Sequence, residues 1–159
     1  MPRIEESIIV PFGPLQSWEL MRNLELRPLW DATILEVKRK GIDDNSDTPH
    51  LFYKAPLLLG LHWRWNGEYV SFEPPHHAAV RMSWGSRLRP FNSLVGTWIV
   101  SNYGGSTQIK MVVSFEPRLP LRILDNIMAR LVRRLLCKSL LNLSRLGVGG
   151  HTCASSGNR

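Results

Sequence analysis

Cysteine occurs twice in the 159 residues, as Cys137 and Cys153, with no CxxC pair and no spacing that would hold a metal. A disulfide framework and a structural zinc site are therefore not expected. No run of 18 apolar residues exists, so no membrane-spanning helix is expected. The opening MPRIEESIIV lacks the basic start and long apolar stretch of a secretory signal, and a cytoplasmic location is the expectation. Nucleophile elbow, phosphate loop and dinucleotide fingerprint are all missing. Acidic residues are scarce in one place only. Residues 1–117 carry twelve basic and twelve acidic side chains, whereas 118–159 carry eight basic ones against Asp125 alone, which is the whole surplus of +7. Basicity confined to one segment argues against nucleic acid, which calls for a basic face shared by several elements.

What is present fits one domain with a sizeable core: 43% of residues are hydrophobic. Residues 4–12 read as a strand, 14–25 as a helix opened by Pro14, and 27–32 as a second short helical turn. Alternation marks strands at 33–41, 50–57, 61–72, 78–84, 94–102 and 107–116, joined by polar or glycine-containing loops. The period then changes. Leu121, Leu124, Ile127, Met128, Leu131, Leu135, Leu140 and Leu143 recur at helical spacing over 120–147, with Gly147 as the expected stop. Residues 148–159 read as a flexible tail after a domain of 1–147. Seven strands followed by one long helix give an α+β fold, a curved antiparallel sheet wrapped on the helix around an apolar cavity.

The string LHWRW at 61–65 admits three readings: a nucleic-acid surface, a metal site, or a pocket wall. In a strand, Trp63 and Trp65 share one face with Leu61, while His62 and Arg64 take the other. Val70 and Phe72 have the opposite parity, so a bulge is expected near Gly67. His62, His76 and His77 lack an acidic or cysteine partner at ligand spacing, and no metal is expected. Paired indoles on a concave face suit a ligand cavity, although plain core packing explains them as well.

Several strings in order resemble the START-like (SRPBCC, Bet v-like) superfamily, in its polyketide cyclase/dehydrase and coenzyme Q-binding type. They are IEESIIVPFGPLQSWELM, PLWD at 28–31, VSFEPPHHAAVRM at 70–82, GTWIVSNYGGSTQIKM at 96–111 and RILDNIMARLVRRLLCKSLLNLSRL. The resemblance implies a helix-grip fold with an internal apolar pocket. It implies substrate contacts at Trp30, Trp63, Trp65, Met82, Trp84, Trp98, Leu124 and Met128. Asp31, in the string that resembles the family's Trp-Asp pair, is a candidate general base at the pocket mouth; its alternative role is to orient the following loop. Arg81 is a candidate cation for a carbonyl becoming an enolate, and its alternative is a surface arginine. The implied activity is cyclisation of an apolar polyketide-derived intermediate, with no cofactor, by aldol-type chemistry or by a cycloaddition templated on a flexible chain. The rival is a non-catalytic carrier of a quinone or other lipid. Either protein would be a monomer or homodimer. The basic face of the last helix would be plain solvated surface or would meet an acidic carrier protein or an anionic membrane.

Overall fold

The computed structural model describes residues 2–39, 51–56, 62–83, 91–118 and 125–149. Strand β1 (Arg3–Val10) leads into helix α1 (Pro14–Arg22) and the single turn α2 (Arg27–Trp30). Six strands follow: β2 (Glu36–Arg39), β3 (Leu51–Pro56), β4 (His62–Glu73), β5 (His77–Ser83), β6 (Phe91–Tyr103) and β7 (Ser106–Pro117). Helix α3 (Asp125–Gly149) comes last. All neighbouring strands are antiparallel, in the order β1-β7-β6-β5-β4-β3-β2. Helix α3 packs against β1 and β7 and reaches α1 and α2. The expected helix-grip architecture is therefore present, with a curved seven-stranded sheet around the terminal helix.

Register decides which residues face α3. Ile4, Val113, Gly96, Val80 and Tyr69 stand opposite one another across five strands, and Glu6, Met111, Trp98, Ala78 and Phe72 form the next row. Directly opposed residues share a face, so both rows lie on the concave side. Glu6 meets the helix there through Arg133 at 2.9 Å. Leu136, Leu140 and Leu143 bury the inner stripe of α3 almost completely, which contributes roughly 1.5–3 kcal/mol for each side chain.

Three local expectations are corrected. First, α1 stops at Arg22 rather than 25, because Asn23 turns extended and its side-chain oxygen accepts from the Glu25 and Leu26 amides at 3.0 and 3.3 Å. The side chain thereby competes with the helix for backbone donors. Second, the bulge falls at Val70 instead of Gly67: the β4–β5 register shifts between Tyr69 and Ser71. The extra residue returns Phe72 to the face of Tyr69, with ring centroids 5.0 Å apart. Gly67 stays in register, and its missing side chain serves packing. A Cβ there would overlap the Tyr53 ring and stand 3.0 Å from Val80 Cγ1. Third, Gly147 does not end the last helix, which runs on to Gly149. The Phe12 ring occupies the space of the absent Cβ.

Candidate pocket wall around Arg27

The turn RPLWD places Arg27 and Asp31 four residues apart, hence on one side of α2. Arg27 Nε donates to Asp31 Oδ2 at 3.0 Å, and the two side chains are only 4% and 2% exposed. The guanidinium lies between two indoles, 4.9 Å from the Trp30 ring centre and 4.4 Å from that of Trp98. Such stacking suits the weakly hydrated, planar guanidinium. Asp31 is fully engaged as well: its Oδ1 accepts from the Thr33 amide at 3.0 Å and from the Thr33 hydroxyl. Helix α3 fixes this turn, as Ser139 Oγ accepts from the Ala32 amide at 2.9 Å and Asn142 Nδ2 donates to the Trp30 carbonyl at 3.5 Å.

Burial acts to lower the pKa of Arg27, but Asp31 and the Tyr53 and Tyr69 oxygens outweigh it and the net shift is upward. The cation therefore persists at every accessible pH. Beside it is a small cleft of about 20 Å³, walled by Trp18, Met21, Tyr69, Phe72 and Trp98. That volume holds about one water, so an occupant of substrate size requires the aromatic walls to part. Phe72, 46% exposed, stands at the rim. A wider groove of about 660 Å³ runs along α1 beside Glu19, Asn23 and Arg39, and shares Arg22 with the cleft.

Among the described residues, the buried donors Trp18 Nε1 on α1, Trp30 Nε1 on α2 and Tyr53 Oη on β3 have no hydrogen-bond partner. Unsatisfied buried polar groups are costly, and each calls for an explanation. Burial pushes the Tyr53 phenol far above the usual tyrosine range; Arg27 opposes this, and Tyr69 and Asp31 reinforce it. The sign is that of a raised folded-state pKa. Its contribution to stability is complete below the ordinary tyrosine value of about 10 and is lost as pH climbs from there toward the folded value. Urea denaturation between pH 9 and about pH 11 should accordingly show stability falling with pH, and Tyr53→Phe should flatten part of that slope. An unchanged slope in the variant would mean that Tyr53 titrates normally.

Other sequence candidates are distributed unevenly. Trp65 is buried beside Tyr53, with ring centroids 6.4 Å apart, and Trp63 is half-buried edge-on to Phe91 at 6.3 Å. Both occupy the concave face, as their shared parity predicts. Met82 and Met128 pack half-buried against the core. Arg81 is exposed, opposite Glu68 and Val95 on the outer face, because Val80 takes the inward position. It is not brought to the pocket wall, which Arg22 and Arg27 line instead. Trp84 and Leu124 lie outside the described residues. His76 Nδ1 is 3.4 Å from the Val100 carbonyl and His77 Nδ1 is 3.0 Å from Ser71 Oγ, so the two rings have separate partners. Among the described residues no three His, Cys, Asp or Glu side chains are placed to hold a metal. Sequence reasoning passed over Arg27, Tyr53 and Tyr69. The i,i+4 arginine and aspartate of RPLWD are a readable signal for the first.

Residues 1–147 match the family described as polyketide cyclase / dehydrase and lipid transport. The chain belongs to that family. Among solved structures it is similar to TTHA0849 from Thermus thermophilus, at 18% identity and a TM-score of 0.76, covering 98% of this chain and 100% of that one. It is also similar to the Zhui aromatase/cyclase of a Streptomyces species, at 13% identity and a TM-score of 0.74, covering 92% and 93%. The di-domain aromatase/cyclase StfQ of the steffimycin biosynthetic pathway matches at 10% identity and a TM-score of 0.69, over 91% of this chain and 48% of that one. No curated protein matches. These likenesses carry the fold, and the family description spans both cyclisation and lipid handling. Among the described residues no helix is long and apolar enough to cross a membrane.

Proposed function

We propose that the protein is a cofactor-independent cyclase acting on an apolar, polyketide-derived intermediate held between the sheet and the α1–α2 segment. The observation that carries this reading is a permanent cation locked between two indoles at a cleft, with the phenol of Tyr53, unpartnered among the described residues, in its electrostatic neighbourhood. Such donors favour a carbonyl oxygen that gains negative charge as an enolate forms and attacks a second carbonyl. They are worth most where water is excluded and the donors are already oriented. Asp31 does not act as the base here, since Arg27 and Thr33 occupy both of its oxygens. It is a positioning residue for the guanidinium. The methylene between two ketones is itself acidic, so stabilising the enolate and folding the chain would be the main tasks. The aromatic walls serve the second task by shape.

The test uses a diffusible poly-β-ketone thioester mimic, with product ratios read by mass spectrometry. Tyr53→Phe is expected to reduce directed cyclisation by about 10-fold to 100-fold, in line with losing one oxyanion donor. Arg27→Lys keeps the charge but loses the planar stack, and should fall at least as far. Both variants at wild-type conversion with wild-type melting would remove these residues from the site. A wild-type protein that binds the mimic and leaves its conversion at the spontaneous rate would make the chain a carrier.

A further inference from the structure

The outward face of α3 carries a pattern that the pocket does not use. Ile127, Leu131, Leu141 and Val148 are 61%, 47%, 52% and 49% exposed. They recur three, four or a multiple of such steps apart, together with exposed Arg130, Arg134, Lys138 and Arg145. At 3.6 residues per turn these eight side chains form one stripe, on the side opposite buried Leu136, Leu140 and Leu143. After Asp125 the helix holds no acidic residue. Of its cations only Arg133 pairs with a described carboxylate, Glu6. The helix is thus apolar on its inner face and mixed aliphatic and cationic on its outer face.

We propose that this outer stripe lays the protein on an anionic lipid bilayer, with the aliphatic side chains entering the headgroup region and the cations meeting lipid phosphates. Two features favour a bilayer over an acidic protein. The stripe runs along about 32 Å of the helix at 1.5 Å per residue, and a helix face is convex, which matches a planar partner. Its exposed aliphatics extend along the whole helix between the charges, an arrangement that uses an interface having both an apolar and an anionic layer. An acidic protein surface would use the cations and leave most of the leucines in water. The inference is independent of the pocket reading: it needs no turnover, and the inner face of α3 packs into the core while the outer face meets the membrane.

Co-sedimentation of the full chain with vesicles tests it. Vesicles of phosphatidylcholine with 30% phosphatidylglycerol, on the order of one anionic lipid in three, should bind the protein at low salt, and pure phosphatidylcholine should bind it far less. Each Lys or Arg at such a surface is worth about fivefold in affinity, so Arg134→Gln with Lys138→Gln should weaken binding roughly 25-fold. Leu131→Ser with Leu141→Ser should weaken it about tenfold with every charge retained. All variants change exposed positions, and unaltered melting confirms that the fold is intact. Absence of binding to anionic vesicles at low salt overturns the proposal, and points the stripe to an acidic protein instead. Binding unmoved by the serine variants also overturns it, because attraction by charge alone involves no insertion.

Discussion

Arg27→Leu is expected to destabilise the protein by about 3–5 kcal/mol, the cost of leaving a buried charge without its partner. Asp31 is 2% exposed, so solvent has little access to replace the guanidinium. For a chain of this size the melting temperature should fall by roughly 10 °C or more. Arg27→Leu combined with Asp31→Leu should recover much of that loss, since removing both charges also removes the desolvation cost. Thermal melts of the wild type, both single variants and the double variant close the cycle. A single-variant melt indistinguishable from the wild type would show that water reaches the pair. The expected asymmetry separates two questions: the pair is costly to break, yet it is not needed for folding. With that result the cation beside the cleft would need another reason, and the proposed carbonyl-stabilising role would be one.

Gly147→Ala should lower stability by about 1–3 kcal/mol, although alanine ordinarily gains about 1 kcal/mol over glycine inside a helix. The sign reverses because the Phe12 ring fills the volume of the new methyl group and is itself only 4% exposed. In a Phe12→Leu background the same change should cost less or become favourable. Melting curves of the four proteins decide it, and a Gly147→Ala protein more stable than the wild type would show that this contact is open. The contact joins the start of the chain to its end, so it also fixes how α3 seats in the sheet. A shift there would reach Ser139 and Asn142, which hold the α2 turn and with it Arg27.

How much was readable differs by element, for physical reasons. Strands β4, β6 and β7 alternate because one face packs and the other is solvated, and α3 shows helical spacing because one stripe packs; periodicity records both. Edge strand β2 is short, four residues, and its ends depend on neighbours that local pattern does not report. Gly67 and Gly147 looked like a bulge and a stop, the usual local uses of glycine. Both are instead places where a ring from a distant strand or loop needs room. No window around either glycine contains Tyr53 or Phe12.

The same division runs through the candidate site. The shared face of Trp63 and Trp65 follows from parity alone, since side chains in a strand alternate strictly. The charge of α3 is likewise a property of composition. Arg81 and Arg27 are both arginines near apolar residues, and nothing local says which is inside. Register places Val80 inward and so turns Arg81 to solvent. Packing of α2 against β6 takes Arg27 out of water, between Trp30 and a tryptophan 68 positions later in the chain. The sequence by itself therefore determined the order of elements, the strand faces and the basic terminal helix, because period and composition are local quantities. Tertiary structure alone decided which cation is buried, which carboxylate is spent on it and which donors are left unpartnered, because burial is set by contacts between residues far apart in the chain.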